Sequence, residues 1–198
     1  MLNGFHGTTT VGIVVNDGVV LAADKRVSSG YYVAHKTAKK IIRMDDRAGL
    51  TISGLVADAQ IIADYLRIEI LNRKISSGYP PTLKSLASLL SIILNSSKYY
   101  PYIVQLLLGG YDTAPRLYAI ELFGGVVEEE YSATGSGSPV AIGIIEGNYR
   151  RDMGLDEAIN LAVKAVSASM ARDVFTGEAV DVVAISKDSY REFSFKVR

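Results

Sequence analysis

The order of secondary-structure signals in this 198-residue chain predicts an α+β fold of four layers, two stacked antiparallel sheets held between two pairs of helices. Three observations lead there. The strands arrive in hairpin runs rather than alternating singly with helices, which excludes one doubly wound parallel sheet. The helices arrive as two consecutive pairs, each enclosed by strand runs. No Pro/Ser-rich or charged linker divides the chain, so it reads as one domain, and a domain of this size buries roughly 70% of the surface its unfolded form exposes.

The elements follow in order. From Thr9 to Ala23 a run rich in valine and isoleucine is broken at Asn16-Asp17-Gly18, and Asp-Gly is a strong hairpin signal. Strands over 40–43 and 50–53 flank a turn-forming stretch at 44–49. Leu55, Ala59, Ile62, Leu66 and Ile70 then recur on one helical face, while Arg67, Glu69, Arg73 and Lys74 supply polar positions. After Pro80-Pro81, Thr82 is placed to cap a second helix with Leu83, Leu86, Leu90, Ile93 and Leu94 inward, ending near Lys98. Strands over 103–108 and 117–122 come next, with Gly109-Gly110 and the 112–115 cluster read as turns, and one further strand spans 126–131 after Gly124-Gly125. Helices over 139–146 and 156–172 form the second pair, the longer with Ala158, Ile159, Ala162, Val163, Val166 and Met170 inward. Strands over 180–186 and 192–197 close the chain.

Composition removes several functions. Lys+Arg and Asp+Glu both number 21, which leaves no net charge to attract a phosphate backbone and argues against a nucleic-acid partner. Hydrophobic residues make up 48% against 21% charged, an apolar excess that points to surfaces buried against other subunits. The chain has no cysteine, so a disulfide-stapled secreted fold is excluded and the inside of a cell fits best. Residues 1–7 are too short and too polar for a signal peptide and read as a short propeptide or a frayed terminus. The most apolar stretch, 83–94, is interrupted by Lys84 and three serines and falls below the ~18 residues of a membrane span. His6 and His35 lack ligand-like spacing, so no metal site and no cofactor are expected.

The chemistry concentrates at Gly7-Thr8-Thr9-Thr10, which runs into the apolar 11–15 segment. The β-branched threonines can simply open a strand. Cleavage after Gly7 would instead put a hydroxyl nucleophile and a primary amine on one residue, Thr8, and the α-amine is the backbone base that titrates near neutrality, at roughly 7.7–8.0. Gly135-Ser136-Gly137-Ser138 looks like a phosphate loop but lacks the Gly-Lys-Ser/Thr of a P-loop; its donors suit the orientation of a neighbouring amine. Asp24-Lys25-Arg26, Lys39-Lys40 and Arg172-Asp173 each read singly as polar strand or helix ends.

Taken together, Thr8-Thr9-Thr10-Val11-Gly12, Ala23-Asp24-Lys25-Arg26-Val27, the 35–40 segment, the 52–58 segment, Thr134-Gly135-Ser136-Gly137-Ser138 and Arg172-Asp173 closely resemble the archaeal-type proteasome β subunit, in order and spacing, from Thr8 to about Ser186. The resemblance implies the N-terminal nucleophile hydrolase sandwich, with residues 1–7 removed by autoprocessing at Gly7-Thr8 and 8–198 as the catalytic domain. It implies Thr8 as nucleophile with its freed amine as base, Lys40 beside that hydroxyl, Asp24 as partner of Lys40, and the Gly54 N–H as oxyanion donor. Ser136 and Asp173 correspond to the residues that orient the amine and water. Thr176 stands where the family usually has serine, and Ser28 where a threonine usually contacts the substrate backbone. The substrate pocket corresponds to Val27, Ala38, Ile42, Ile52 and Val56, all uncharged, which implies a chymotrypsin-like preference for apolar residues before the cut.

The same resemblance implies a cytoplasmic particle in which seven-membered β rings stack between α-subunit rings, fed with unfolded polypeptide by an ATPase unfoldase. Two rivals remain at this level. One is a β subunit that holds a ring position without cutting, against which the full set of Thr8, Asp24, Lys40 and Asp173 argues. The other is the subunit of a simpler bacterial two-ring protease, which the 53–58 and 135–138 segments fit less well.

Overall fold

The computed structural model describes residues 7–196; most of the expected leader, including His6, and the expected strand end at Val197 lie outside the described residues. The first half of the chain forms β1 (Thr10–Val15), β2 (Gly18–Asp24), β3 (Val27–Ser29), β4 (Tyr32–His35), β5 (Ile41–Arg43), β6 (Ala48–Gly54), α1 (Val56–Ser77) and α2 (Leu83–Ser96). The second forms β7 (Val104–Tyr111), β8 (Pro115–Ile120), β9 (Val126–Glu128), β10 (Tyr131–Thr134), α3 (Ser138–Glu146), α4 (Leu155–Met170), β11 (Ala179–Ser186) and β12 (Tyr190–Lys196). One antiparallel sheet has the order β10-β1-β2-β11-β12 and the other β5-β6-β7-β8-β9.

Burial explains the stacking. Every residue of β1 and β2 is buried, so neither strand alternates between core and solvent. Val11, Ile13, Val15, Val20 and Ala22 pack with α3 and α4, whereas Val14, Val19 and Leu21 meet Leu107, Leu117, Val183 and Ile185 between the sheets. Helices α1 and α2 cover the outer face of the second sheet through Ile62, Leu66, Leu86, Leu90 and Leu94. The four-layer αββα order is therefore the one the element sequence predicts. Local signals hold as well: the Thr82 hydroxyl accepts from the Ser85 N–H at 3.1 Å to cap α2, and α1 ends at Gly78 in the left-handed region. No helix among the described residues is long and apolar enough to cross a membrane.

Three local readings are corrected. The single strand expected over 126–131 is two, β9 in one sheet and β10 in the other, because the chain crosses between layers at Glu129-Glu130. Gly109-Gly110, expected as a turn, lies inside β7, with Gly109 opposite Gly49. A Cβ at Gly109 would sit 2.9 Å from both Leu21 and Val19 of the facing sheet, so the glycine serves close approach of the sheets. The short hairpin β3-β4 had no predicted counterpart; three and four residues are too few to show an alternation.

Candidate active site

Antiparallel pairing draws distant segments to one end of the sandwich. Thr10 pairs with Ala23 on one side and Thr134 on the other, so the residues just before β1, at the end of β2 and just after β10 are neighbours. Lys40, immediately before β5, is held against β6 by the Ile52 N–H donating to its carbonyl at 3.0 Å. Beneath this edge a chain of buried hydroxyls ties the two sheets: Thr10 to Thr51 at 3.0 Å, Thr10 to Thr134 at 2.7 Å, and Thr134 to Ser53 at 2.7 Å. The floor of the site is thus cross-linked by hydrogen bonds that water does not reach.

The Lys40 ammonium donates to Thr8 Oγ1 and to Asp24 Oδ1, both at 2.7 Å. Thr8 and Lys40 are each 5% exposed and Asp24 is 0% exposed, so the pair sits in the interior, not on the solvated strand end that the isolated Asp24-Lys25-Arg26 run implies. Asp24 is satisfied on all sides: Oδ1 also accepts from the Thr9 N–H, and Oδ2 accepts from the N–H groups of Arg26 and Gly177, each at 3.0 Å. Burial pushes the Lys40 pKa below that of an ordinary lysine, and the Coulombic attraction and hydrogen bond of Asp24 oppose that fall.

A second set surrounds the nitrogen of Thr8. With Gly7 still attached, that nitrogen is an amide and donates to Ser136 Oγ at 3.2 Å, while Ser136 Oγ donates to Asp173 Oδ2 at 2.6 Å. Thr176 donates to the same carboxylate oxygen at 2.5 Å and meets Thr9 Oγ1 at 2.8 Å, so the hydroxyl that departs from the family's usual serine is fully engaged. A Cβ on Gly7 would collide with the Cβ of Phe175 and lie 2.6 Å from Ser136 Oγ. Gly135, at φ +90°, has its missing Cβ directed at the Thr8 carbonyl oxygen.

A cavity of about 560 Å³ opens beside Thr8; Val27, Ala38, Ile52 and Val56 line it with Lys40 and Gly54, and Arg26, His35 and Lys39 also border it. Gly54 adopts φ +112°, and the space of its absent side chain is taken by the Ile103 carbonyl, so backbone alone faces the cavity there. Ile42, expected in the pocket, and Ser28, expected at the substrate backbone, do not border this cavity. Ile42 lines an adjoining, more polar cavity with Lys25, Arg43 and Asp181, which shares Ile52, Val56 and Gln60 with the first. Ser28 is buried at 3% exposure within β3, at a register shift from Val27, which lines the cavity.

Arg26, Glu178 and Gln60 were not singled out by sequence reasoning. Arg26 donates through Nε and one terminal nitrogen to Glu178 Oε1, at 3.2 and 3.1 Å, and through the other to the Val174 carbonyl at 2.8 Å. It thereby clamps the loop that carries Asp173, Thr176 and Gly177. Glu178 is the non-glycine residue with φ in the left-handed region, +79°, among those described, and the clamp holds it there. Arginine next to a candidate acidic residue was the available signal. Gln60 borders the cavity from the second turn of α1 and offers no sequence signal apart from its neighbours.

A four-layer αββα sandwich with a threonine hydroxyl, an ammonium and a buried carboxylate at the open edge of its two sheets defines the N-terminal nucleophile hydrolase architecture. The family model for the proteasome subunit matches residues 5–185. The chain is 55% identical to proteasome subunit beta 2 of Hyperthermus butylicus, covering 100% of this chain and 93% of that protein. It is 59% identical to proteasome subunit beta 2 of Staphylothermus marinus, over 93% of this chain and 90% of the relative. Proteasome subunit beta 2 of Aeropyrum pernix is 50% identical over 94% of this chain and 85% of its own length. The chain belongs to the proteasome subunit family, as a β subunit of the archaeal type.

Proposed function

We propose that this chain is a threonine endopeptidase of the proteasome core, made active by removal of residues 1–7, and that it cuts unfolded polypeptide after apolar residues. The observation that carries the reading is the placement of Lys40 Nζ between Thr8 Oγ1 and Asp24 Oδ1, 2.7 Å from each. Once the Gly7-Thr8 bond is cleaved, Thr8 Oγ1 attacks the substrate carbonyl and its proton passes to the α-amine, directly or through one water. The Lys40 cation favours the alkoxide and disfavours protonation of the amine in the resting site. The tetrahedral oxyanion is received by the Gly54 N–H, a role in which loss of one donor typically costs on the order of 10²–10³ in rate. Collapse breaks the carbon–nitrogen bond; the departing nitrogen keeps the electron pair and takes the proton from the Thr8 ammonium. Water then hydrolyses the ester and restores the hydroxyl.

Val27, Ala38, Ile52 and Val56 supply an uncharged wall for the side chain before the cut, with Ile42 behind it in the adjoining cavity. In the assembled particle the chain takes a place in a seven-membered β ring against α-subunit rings, in the cytoplasm, with an ATPase unfoldase delivering substrate. N-terminal sequencing of the chain from particles assembled with α subunits is expected to begin at Thr8. Thr8→Ala is expected to retain residues 1–7 and to abolish peptide hydrolysis. A particle that keeps its activity after that substitution, or cleaves after Arg or Asp faster than after Leu, Phe or Tyr, overturns the reading.

A further inference from the structure

Asp58 closes the 52–58 segment that marked the site in the sequence, yet no step of the proposed chemistry uses it. It lies in the first turn of α1, where the aligned peptide dipoles favour a carboxylate. Its Oδ2 accepts from the Ile103 N–H at 2.9 Å, a bond to a residue 45 positions away that belongs to no helix or strand. The Ile103 carbonyl in turn accepts from the Leu55 N–H at 2.8 Å. Both polar backbone groups of Ile103 are therefore held by the corner at which β6 turns into α1.

Gly54 sits at that corner. It is the last residue of β6, and Leu55 alone separates it from α1. The Ile103 carbonyl fills the space where a Gly54 side chain would be, and it also holds the Leu55 N–H, so it fixes the peptide plane that leaves Gly54. Pairing of Gly54 with Val104, next to Ile103, fixes the strand that enters it. The direction of the Gly54 N–H follows from these two constraints, and Ile103 carries one of them. Ile103 has little support of its own. The Val104 N–H donates back to the Tyr102 carbonyl at 3.0 Å, which makes Ile103 the apex of a three-residue turn with a single internal hydrogen bond. The Asp58 carboxylate is the side chain that holds this apex in place.

We propose that Asp58 is a positioning residue for the oxyanion step: through Ile103 it aims the Gly54 N–H at the oxygen that becomes negative when Thr8 attacks. The assignment rests on the threonine-peptidase reading above. Asp58 does not border the substrate cavity, so its loss has little effect on substrate binding and a large one on the tetrahedral state. A donor that is present but turned aside forfeits a hydrogen bond chiefly where charge has developed.

The test compares Asp58→Ala with Asp58→Asn in assembled particles, with rates referred to the chains that begin at Thr8. Asparagine keeps a carbonyl oxygen for the Ile103 N–H, and alanine does not. On fluorogenic peptides Asp58→Ala is expected to lower kcat by about ten- to a hundredfold with KM within about twofold, and Asp58→Asn to bring kcat back to within about threefold of the parent. A matched pair of inhibitors reads the oxyanion directly. Thr8 Oγ1 adds to the carbonyl carbon of a peptide aldehyde, its proton passes to the α-amine, and the former carbonyl oxygen takes the negative charge; the corresponding peptide alcohol forms no such bond. In Asp58→Ala the aldehyde is expected to lose affinity by about the factor lost from kcat, while the alcohol stays within about twofold. The ratio is taken within one particle, so a partly folded population does not alter it, and Asp58→Leu, which keeps bulk without an acceptor, replaces Asp58→Ala if that variant does not assemble. Aldehyde and alcohol weakened alike, a kcat within about twofold of the parent, or no recovery in Asp58→Asn overturns the positioning role alone. A parent particle inert toward the peptides overturns the peptidase reading and this role with it.

Discussion

Asp24→Asn removes one charge and almost no volume, and its cost is readable from four hydrogen bonds. Oδ1 accepts from Lys40 Nζ and the Thr9 N–H, and Oδ2 from the Arg26 and Gly177 N–H groups. The asparagine amide group donates, so whichever way it turns it faces two donors. Turned toward Arg26 and Gly177, it leaves two backbone N–H groups unsatisfied at about 1–3 kcal/mol each. Turned toward Lys40, it opposes the ammonium and the Thr9 N–H with a donor; in either orientation the buried cation loses its counter-ion, a loss of about 3–5 kcal/mol. The variant is therefore expected to be about 3–5 kcal/mol less stable by urea denaturation, against under about 0.5 kcal/mol for Asp46→Asn, whose ion pair with Arg43 is exposed. The pH dependence moves too. Asp24 raises the Lys40 pKa against the fall caused by burial, so its loss lets the proton leave at lower pH. The alkaline limb of kcat, already expected below the 10.5 of an ordinary lysine, shifts further down in the variant. In that window the unfolded chain holds a proton that the folded chain has released, so stability rises with pH. A loss under about 1 kcal/mol with an unmoved alkaline limb would refute the buried-pair account.

Thr176→Val keeps the volume but removes the hydroxyl shared between Asp173 and Thr9; kcat on fluorogenic peptides is expected to fall about tenfold, equivalent to 1.4 kcal/mol, with KM little changed. Gly7→Ala forces a Cβ against Phe175 and Ser136, so intact mass is expected to show retention of residues 1–7 long after the parent chain has been processed. Gly109→Ala places a methyl group 2.9 Å from Leu21 and Val19 between the sheets, and thermal or urea denaturation is expected to show a loss of about 1–3 kcal/mol with the site chemistry retained.

The order of layers was legible because long elements carry periodicity: the 3.6-residue faces of α1, α2 and α4 and the Asp-Gly turn between β1 and β2 survive tertiary context. What escaped was set by contacts remote in sequence. Gly109 looks like a turn until Leu21 and Val19 of the other sheet are placed against it. Asp24 looks solvated until the Gly177 N–H, 153 residues away in sequence, closes over it. Thr8, Asp24, Lys40, Ser136 and Asp173 gained meaning as a set only through family resemblance, since no periodicity links positions just before β1, at the end of β2, just before β5, just after β10 and just after α4. Ile42 shows what motif position leaves open: it fixes the strand, while a cavity wall shared through Ile52 and Val56 decides which space borders the side chain.

The hydrogen bonds around Thr8 fit both the chain with its leader and the proposed processed enzyme. Ser136 has a single proton, and at 2.6 Å that proton goes to Asp173, so its lone pairs face the Thr8 nitrogen. With Gly7 attached, the nitrogen is an amide: it donates its one N–H to Ser136 and has no basic lone pair, and Lys40 alone cannot relieve the hydroxyl of its proton. After cleavage the same acceptor still takes one N–H of the amine. Because Ser136 accepts rather than donates, it does not compete for the new lone pair, which is left for the Thr8 hydroxyl on the Lys40 side. On the proposed reading, breaking one covalent bond would create the base without rebuilding its surroundings, and the hydrogen-bonded Thr10-Thr51-Thr134-Ser53 floor beneath Thr8 would hold the same geometry through the step.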